Sequence, residues 1–294
     1  MLKRRDLLLS APVLAAAAEV KKWPLCMHQT TSLQAGFRKS LEGYSKAGIR
    51  FVEVIPAHVD EFAKKESLGA AKRLMADLGI KAVSSGGVRG LAEPNPDRAK
   101  ALEELKYRAE RVAELGVDRM VCPCGTSAKF TLDDYKRGVD NLRQVGDIVK
   151  GFQVVAMVEF MRGSTFIGSL PTSLKMTREA NHPFLKPMFD FYHFGAGLSR
   201  LEDLDLIRAG ELHHVHFQDV PDIPRELLDN GTRDIPGDGV LPLARILHGI
   251  RKARYEGPLS VELFYPRLQQ GDPYEVAMEI RRKSEAVLKK AGMF

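Results

Sequence analysis

From residue 22 onward, short β-branched or apolar runs alternate with longer amphipathic, charge-rich segments, the rhythm of strands each followed by a helix. The runs predict strands over 24–28, 50–55, 80–84, 117–122, 152–159, 186–190, 213–217 and 258–262. The segments between them predict helices over 32–47, 60–78, 96–115, 131–149, 171–180, 200–208, 240–254 and 273–290. Ala47-Gly48-Ile49, Leu78-Gly79-Ile80 and Leu115-Gly116-Val117 each place glycine after an apolar helical residue, where the chain needs a left-handed conformation before the next strand. Eight such units in about 270 residues predict an α/β fold, a single (β/α)8 TIM barrel with its functional groups at the C-terminal ends of the strands. An open doubly wound sheet is the alternative, but no G-x-G-x-x-G follows the first strand, and Gly195-Ala196-Gly197 follows a late one. The longest irregular stretch, 218–239, carries Pro221, Pro224, Gly231, Pro236, Gly237 and Gly239. A loop of that length in a compact domain is usually functional.

Four successive predicted strands end in an acid or a histidine: Glu159, Asp190, His216 and Glu262. In a barrel all four point at one site. Strand alternation puts Met157, Met188, His214 and Ser260 on the same face beneath them. Carboxylates buried there are costly unless paired with protons or a cation. Three carboxylates and one imidazole form an oxygen-rich set, which favours one hard or borderline divalent ion: Mn²⁺ first, then Mg²⁺ or Co²⁺, with Zn²⁺ also compatible. A lone strand-end Glu is more often a salt-bridge partner, so it is the joint placement that argues for a metal. His28 and Glu53, at the ends of strands 1 and 2, are candidates to touch substrate or to be satisfied structural groups. Arg89 is a weaker candidate for holding an anion. His58, His182 and His248 read as surface residues.

Composition narrows the class rather than the chemistry. The 294 residues are 44% hydrophobic and 28% charged, which excludes a disordered chain, a disulfide miniprotein and a polytopic membrane protein. The net charge of +6 includes +2 from Lys3, Arg4, Arg5 and Asp6, and the remainder is spread too thinly for a nucleic-acid track. Cys26, Cys122 and Cys124 have no redox or zinc spacing and read as structural. The basic start is followed by Leu7 to Ala18, an apolar stretch of 12 residues broken only by Ser10 and Pro12. A spanning helix needs about 20 apolar residues, so 1–18 read as a cleavable export signal, with 19–294 as the barrel. Arg4-Arg5-Asp6-Leu7-Leu8 resembles a twin-arginine signal, which implies a periplasmic protein exported already folded, or a cytoplasmic one if the signal does not function.

Several motifs are shared with one superfamily: Val158-Glu159, Asp190-Phe191-Tyr192-His193, His214-Val215-His216-Phe217-Gln218-Asp219, Pro236-Gly237-Asp238-Gly239, and Tyr255-Glu256-Gly257-Pro258-Leu259-Ser260-Val261-Glu262-Leu263. Through them the chain resembles the xylose-isomerase-like sugar isomerases and epimerases, relatives of ketose 3-epimerases and inosose dehydratases. The resemblance implies that Glu159, Asp190, His216 and Glu262 ligate a metal and that His193 lies behind them or contacts substrate. It also implies a small carbohydrate substrate and a reaction in which one of Glu159 and Glu262 removes a proton beside a carbonyl. The metal then stabilises an enediolate and the other glutamate returns a proton.

Departures limit how far the substrate carries over. Ketose 3-epimerases typically follow the strand-5 Glu with Asn-Arg-aromatic-Glu, whereas here Phe160-Met161-Arg162-Gly163-Ser164-Thr165 follows, without the second glutamate. An Arg six residues past the strand-7 His is also usual, and this chain has Asp222, with Arg225 three further on. Arg162 and Arg225 therefore stand as the substrate-contact candidates on these loops, and the nearest alternative reaction is a lyase expelling water or a glycosidic oxygen. An abasic-site endonuclease of the same barrel type needs extra histidines at Val54-Ile55-Pro56, Ser84-Ser85-Gly86, Cys122-Pro123-Cys124 and Asp234-Ile235-Pro236, and none has one. A non-catalytic sugar-binding barrel is a third class. No nucleic-acid partner and no membrane insertion after signal removal are expected, and homo-oligomerisation is left open.

Overall fold

The computed structural model describes residues 22–294; the export signal expected over 1–18 lies outside the described residues. Parallel strands form the inner layer in the order β1 (Leu25–His28), β2 (Phe51–Val54), β3 (Lys81–Gly86), β4 (Arg119–Pro123), β5 (Val155–Glu159), β6 (Leu185–Pro187), β7 (Phe189–Asp190), β8 (Val215–His216) and β9 (Leu259–Val261). The first pairs with the last, and β6 pairs with β5 while β7 pairs with β8. Only Met188 separates β6 from β7, so the two pieces share the sixth barrel position, where one strand was expected over 186–190. Met188 donates its N–H to Val158 O and Phe189 donates to His214 O, so the strand changes hydrogen-bonding partner at that residue and the barrel closes. The eight predicted barrel positions are all occupied.

Around the strands lie α1 (Gly36–Lys46), α2 (Pro56–Lys65), α3 (Leu68–Asp77), α4 (Arg98–Leu115), α5 (Leu132–Lys150), α6 (Leu170–Ala180), α7 (Phe191–Ala196), α8 (Leu243–Lys252), α9 (Pro266–Gln269) and α10 (Pro273–Lys290). Their apolar stripes pack on the outside of the barrel in one continuous core. Inside, Val121, Met157 and Met188 form a separate plug, and Met157, Met188, His214 and Ser260 are all fully buried, as alternation requires. Gly48, Gly79 and Gly116 have φ of 78°, 63° and 83°, the left-handed turn the sequence demanded of them. No helix among the described residues is long and apolar enough to cross a membrane.

Some boundaries differ from expectation for local reasons. The helix expected over 60–78 is two, because the chain breaks at Glu66 and Ser67 Oγ accepts from Ala70 N–H at 3.0 Å to start α3. The strand expected from 152 starts at Val155, since Gln153 sits at φ 57° in the turn after α5. The segment over 200–208 forms a short 3-10 turn, Leu201–Leu206. His58, expected on the surface, is buried against the barrel, while His248 is exposed. The three cysteines are buried and free.

Candidate active site

Glu159 ends β5, Asp190 ends β7, His216 ends β8 and Glu262 follows β9, and one ligating atom from each lies within 4.8 Å of all the others. His216 is the hub. Its Nδ1 stands 3.1 Å from Glu159 Oε1, 3.3 Å from Asp190 Oδ2 and 3.5 Å from Glu262 Oε2. Oε1 of Glu159 is buried there without a well-formed hydrogen bond. Three carboxylates and one imidazole converging at this spacing, one carboxylate oxygen buried without a hydrogen bond, are a donor set that fits a divalent ion.

The carboxyls are pushed in different directions. Burial raises Glu159, and Asp190 and Glu262 add to the rise although His216 opposes it. Burial also acts on Glu262, but Arg233, His216 and His28 outweigh it and hold the group below its usual range. Asp190 is held low against burial by His193, Arg233 and His216. His216 is buried, yet the carboxylates around it, Glu53 and Glu262 foremost and then Asp190 and Glu159, raise it well above an ordinary histidine.

Around the four sit groups that orient them. Asp190 Oδ1 accepts from His193 N–H at 2.7 Å, which caps α7, and Oδ2 accepts from Gln218 Nε2 at 3.1 Å. His193 Nδ1 accepts from Arg162 N–H at 3.1 Å. Burial, despite the Asp190 carboxylate, lowers His193 to about 4. Its Nε2 lies 3.0 Å from Nη2 of Arg233, which can only donate, so both ring nitrogens are faced by donors. His28 Nδ1 accepts from Thr30 N–H at 3.1 Å, turning its Nε2 toward Glu262 Oε1 at 3.6 Å and Glu53 Oε1 at 3.7 Å.

Arg233 was not singled out in the sequence. It is only 2% exposed, bonds Glu262, lies 3.3 Å from Asp190 Oδ2 and is sandwiched by the rings of Tyr192 and Phe264. Its signal was a place three residues before Pro236-Gly237 in the loop already marked as functional. Asp219 folds that loop back over the site: its carboxylate accepts the N–H groups of Val220, Leu241 and Gly237, and residues 219 and 234 pair as a bridge. Arg225, expected at the substrate, donates to the carbonyls of Gly195 and Gly197. Arg162 supports His193 through its backbone, and its side chain lines, with Arg225, Ser169, Thr172 and Leu198, a groove of about 630 Å³. Glu53 is fully buried beneath the ring and bonds His214 and His216.

Known proteins resemble this chain over most of its length. The chain is 25% identical over 254 residues to an inosose isomerase of Halalkalibacterium halodurans, covering 84% of this chain and 89% of that protein. It is 27% identical over 241 residues to a 3-dehydroshikimate dehydratase of Pseudomonas putida, covering 80% of this chain but only 37% of the longer relative. Among solved structures, the IOLI protein with a bound zinc atom superposes at a TM-score of 0.85 and 22% identity, over 91% of this chain and 99% of that one. With residues 41–284 matching the family's sequence model across most of the barrel, the chain belongs to the xylose isomerase-like TIM barrel family.

Proposed function

We propose that the chain is a divalent-metal-dependent isomerase or epimerase of a keto-sugar or polyol ketone, with an inosose as the first substrate to try. The observation that carries the reading is the ring itself: two carboxylates, Glu159 and Glu262, on barrel positions five and eight, with Asp190 and His216 between them. Glu159, Asp190, His216 and Glu262 would hold the ion, Mn²⁺ first among the candidates, and a bound ion supplies Lewis-acid polarisation of the substrate's oxygens. One of Glu159 and Glu262 takes the proton from the carbon beside the carbonyl and the other returns one. A planar enediol between two carboxyl groups can be protonated on either face, which is what inversion or isomerisation requires. His193 and Arg233 stand beside the ring and keep Asp190 and Glu262 in place.

A second reading is a lyase on the same site, and the loop after β5 favours it. Phe160 and Met161 are buried and Arg162 supports His193, so no second acid grips the hydroxyls from that loop. The same proton abstraction then expels a β-leaving group, water or a glycosidic oxygen. Export through residues 1–18 belongs to the proposal as well; its support is the basic, apolar and small-residue pattern alone. Mn²⁺-loaded protein incubated with inososes, ketopentoses and keto-glycosides, with products read by NMR, tests the assignment. A new stereoisomer or positional isomer supports the isomerase, loss of water or of an aglycone transfers the assignment to the lyase, and an unchanged panel with the ion bound overturns both.

A further inference from the structure

Beneath the ring lies a second polar layer that the reaction does not touch. Glu53, on β2, is fully buried. Its Oε2 accepts from His214 Nε2 at 2.7 Å, Ser260 Oγ at 2.8 Å and His216 Nε2 at 3.1 Å, and its Oε1 accepts from Ser84 Oγ at 3.3 Å. The donors come from β3, from β9, and from β8 and the residue before it, so the carboxylate on β2 ties four strands together across the barrel interior. A buried carboxylate is tolerated only when its lone pairs are filled in this way.

His216 belongs to both layers. Its Nδ1 faces Glu159 and Asp190 while its Nε2 faces Glu53. An imidazole that offers a lone pair at Nδ1 carries its proton at Nε2, and that proton needs an acceptor. We infer that Glu53 is a positioning residue for the ion site: it holds His216 in the Nε2–H form and fixes the ring angle that turns the Nδ1 lone pair into the carboxylate ring. The inference rests on the metal-dependent reading above.

The same three residues, Glu53, His214 and His216, could in principle ligate an ion of their own. Their contacts argue otherwise. Two atoms each about 2.1 Å from a tetrahedral ion lie about 3.4 Å apart, whereas His214 and Glu53 meet at 2.7 Å, the length of a charge-assisted hydrogen bond, and Ser260 already donates to the same oxygen.

The test is ion binding by the full chain, measured by competition with a chromogenic chelator, together with the visible spectrum of the Co²⁺-loaded protein. Glu53→Gln is expected to lower Mn²⁺ affinity about 10- to 100-fold with one site per chain retained, and to shift the Co²⁺ bands. Ser260→Ala, which removes one hydroxyl and guards against a Glu53 variant that does not fold, is expected to lower affinity about two- to five-fold and shift the bands in the same direction. Wild-type affinity and an unaltered Co²⁺ spectrum in these variants would overturn the inference while leaving the metal-dependent reading standing. Two ions in the wild type and one in Glu53→Gln would replace it with a lower metal site. No ion in the wild type would sink the functional reading first, and the inference with it.

Discussion

Arg233 shows how much of the site depends on one buried charge. Its guanidinium contacts Glu262 and Asp190 and is closed in by two aromatic faces, so it has no access to water that could replace those partners. Replacing it by methionine fills the space but leaves the carboxylates without their cation. Arg233→Met is expected to cost about 3 kcal/mol in ion-free protein, and Mn²⁺ is expected to recover much of that loss, as read by urea unfolding with and without the ion. Equal losses in both conditions would mean that the arginine does not balance the ring. The four ring residues were legible in the sequence because strand ends in a barrel share one face. Arg233 was not, because its position depends on how a long loop folds back, and no periodicity encodes that. Arg225, the substrate-contact candidate of the same loop, ties that loop to the end of α7 through the carbonyls of Gly195 and Gly197.

At the scale of elements, one side chain joins the two arms of the loop over 218–239. Asp219 accepts N–H groups at 2.9 Å from Val220, 2.9 Å from Leu241 and 3.1 Å from Gly237, on both arms of the loop. Asp219→Ala should therefore destabilise the protein by about 2–3 kcal/mol in a urea melt and lower turnover too, since Arg233 would no longer be held over the ring. A variant that loses stability but keeps full turnover would separate the loop from the site. The sequence marked this loop by its prolines and glycines, and the helix starts and stops by their glycines and caps. It did not show where a barrel strand changes partner: the break at Met188 comes from the closure of the barrel, a long-range property of the sheet, and the residues themselves read as one continuous strand.

Over the whole molecule the eight strand–helix units were readable because parallel barrel strands are apolar on both faces and their helices are amphipathic. Burial of particular polar groups was less so, and it sets how stability follows pH. Burial, with Arg119 nearby, lowers His213 from 6.5 to about 4. Between those values the unfolded chain binds the proton and the folded chain does not. The contribution of neutral His213 is thus complete above pH 6.5 and is lost as pH falls toward 4. His213→Gln should flatten the fall of Tm across that window relative to wild type, and an unchanged slope would show that His213 is solvated in solution.

The central claim is that Glu159 and Glu262 exchange a proton with a carbon beside a carbonyl. The most direct measurement is deuterium entry into substrate from D₂O, followed by NMR, with Mn²⁺-loaded protein from about residue 19 onward and a panel of inososes, ketoses and keto-glycosides. The account predicts protein-dependent exchange at that carbon, falling about 10²- to 10⁴-fold in Glu159→Gln and in Glu262→Gln. Exchange that persists at the wild-type rate in both variants, or no exchange with any member of the panel while the ion is shown to be bound, would contradict it.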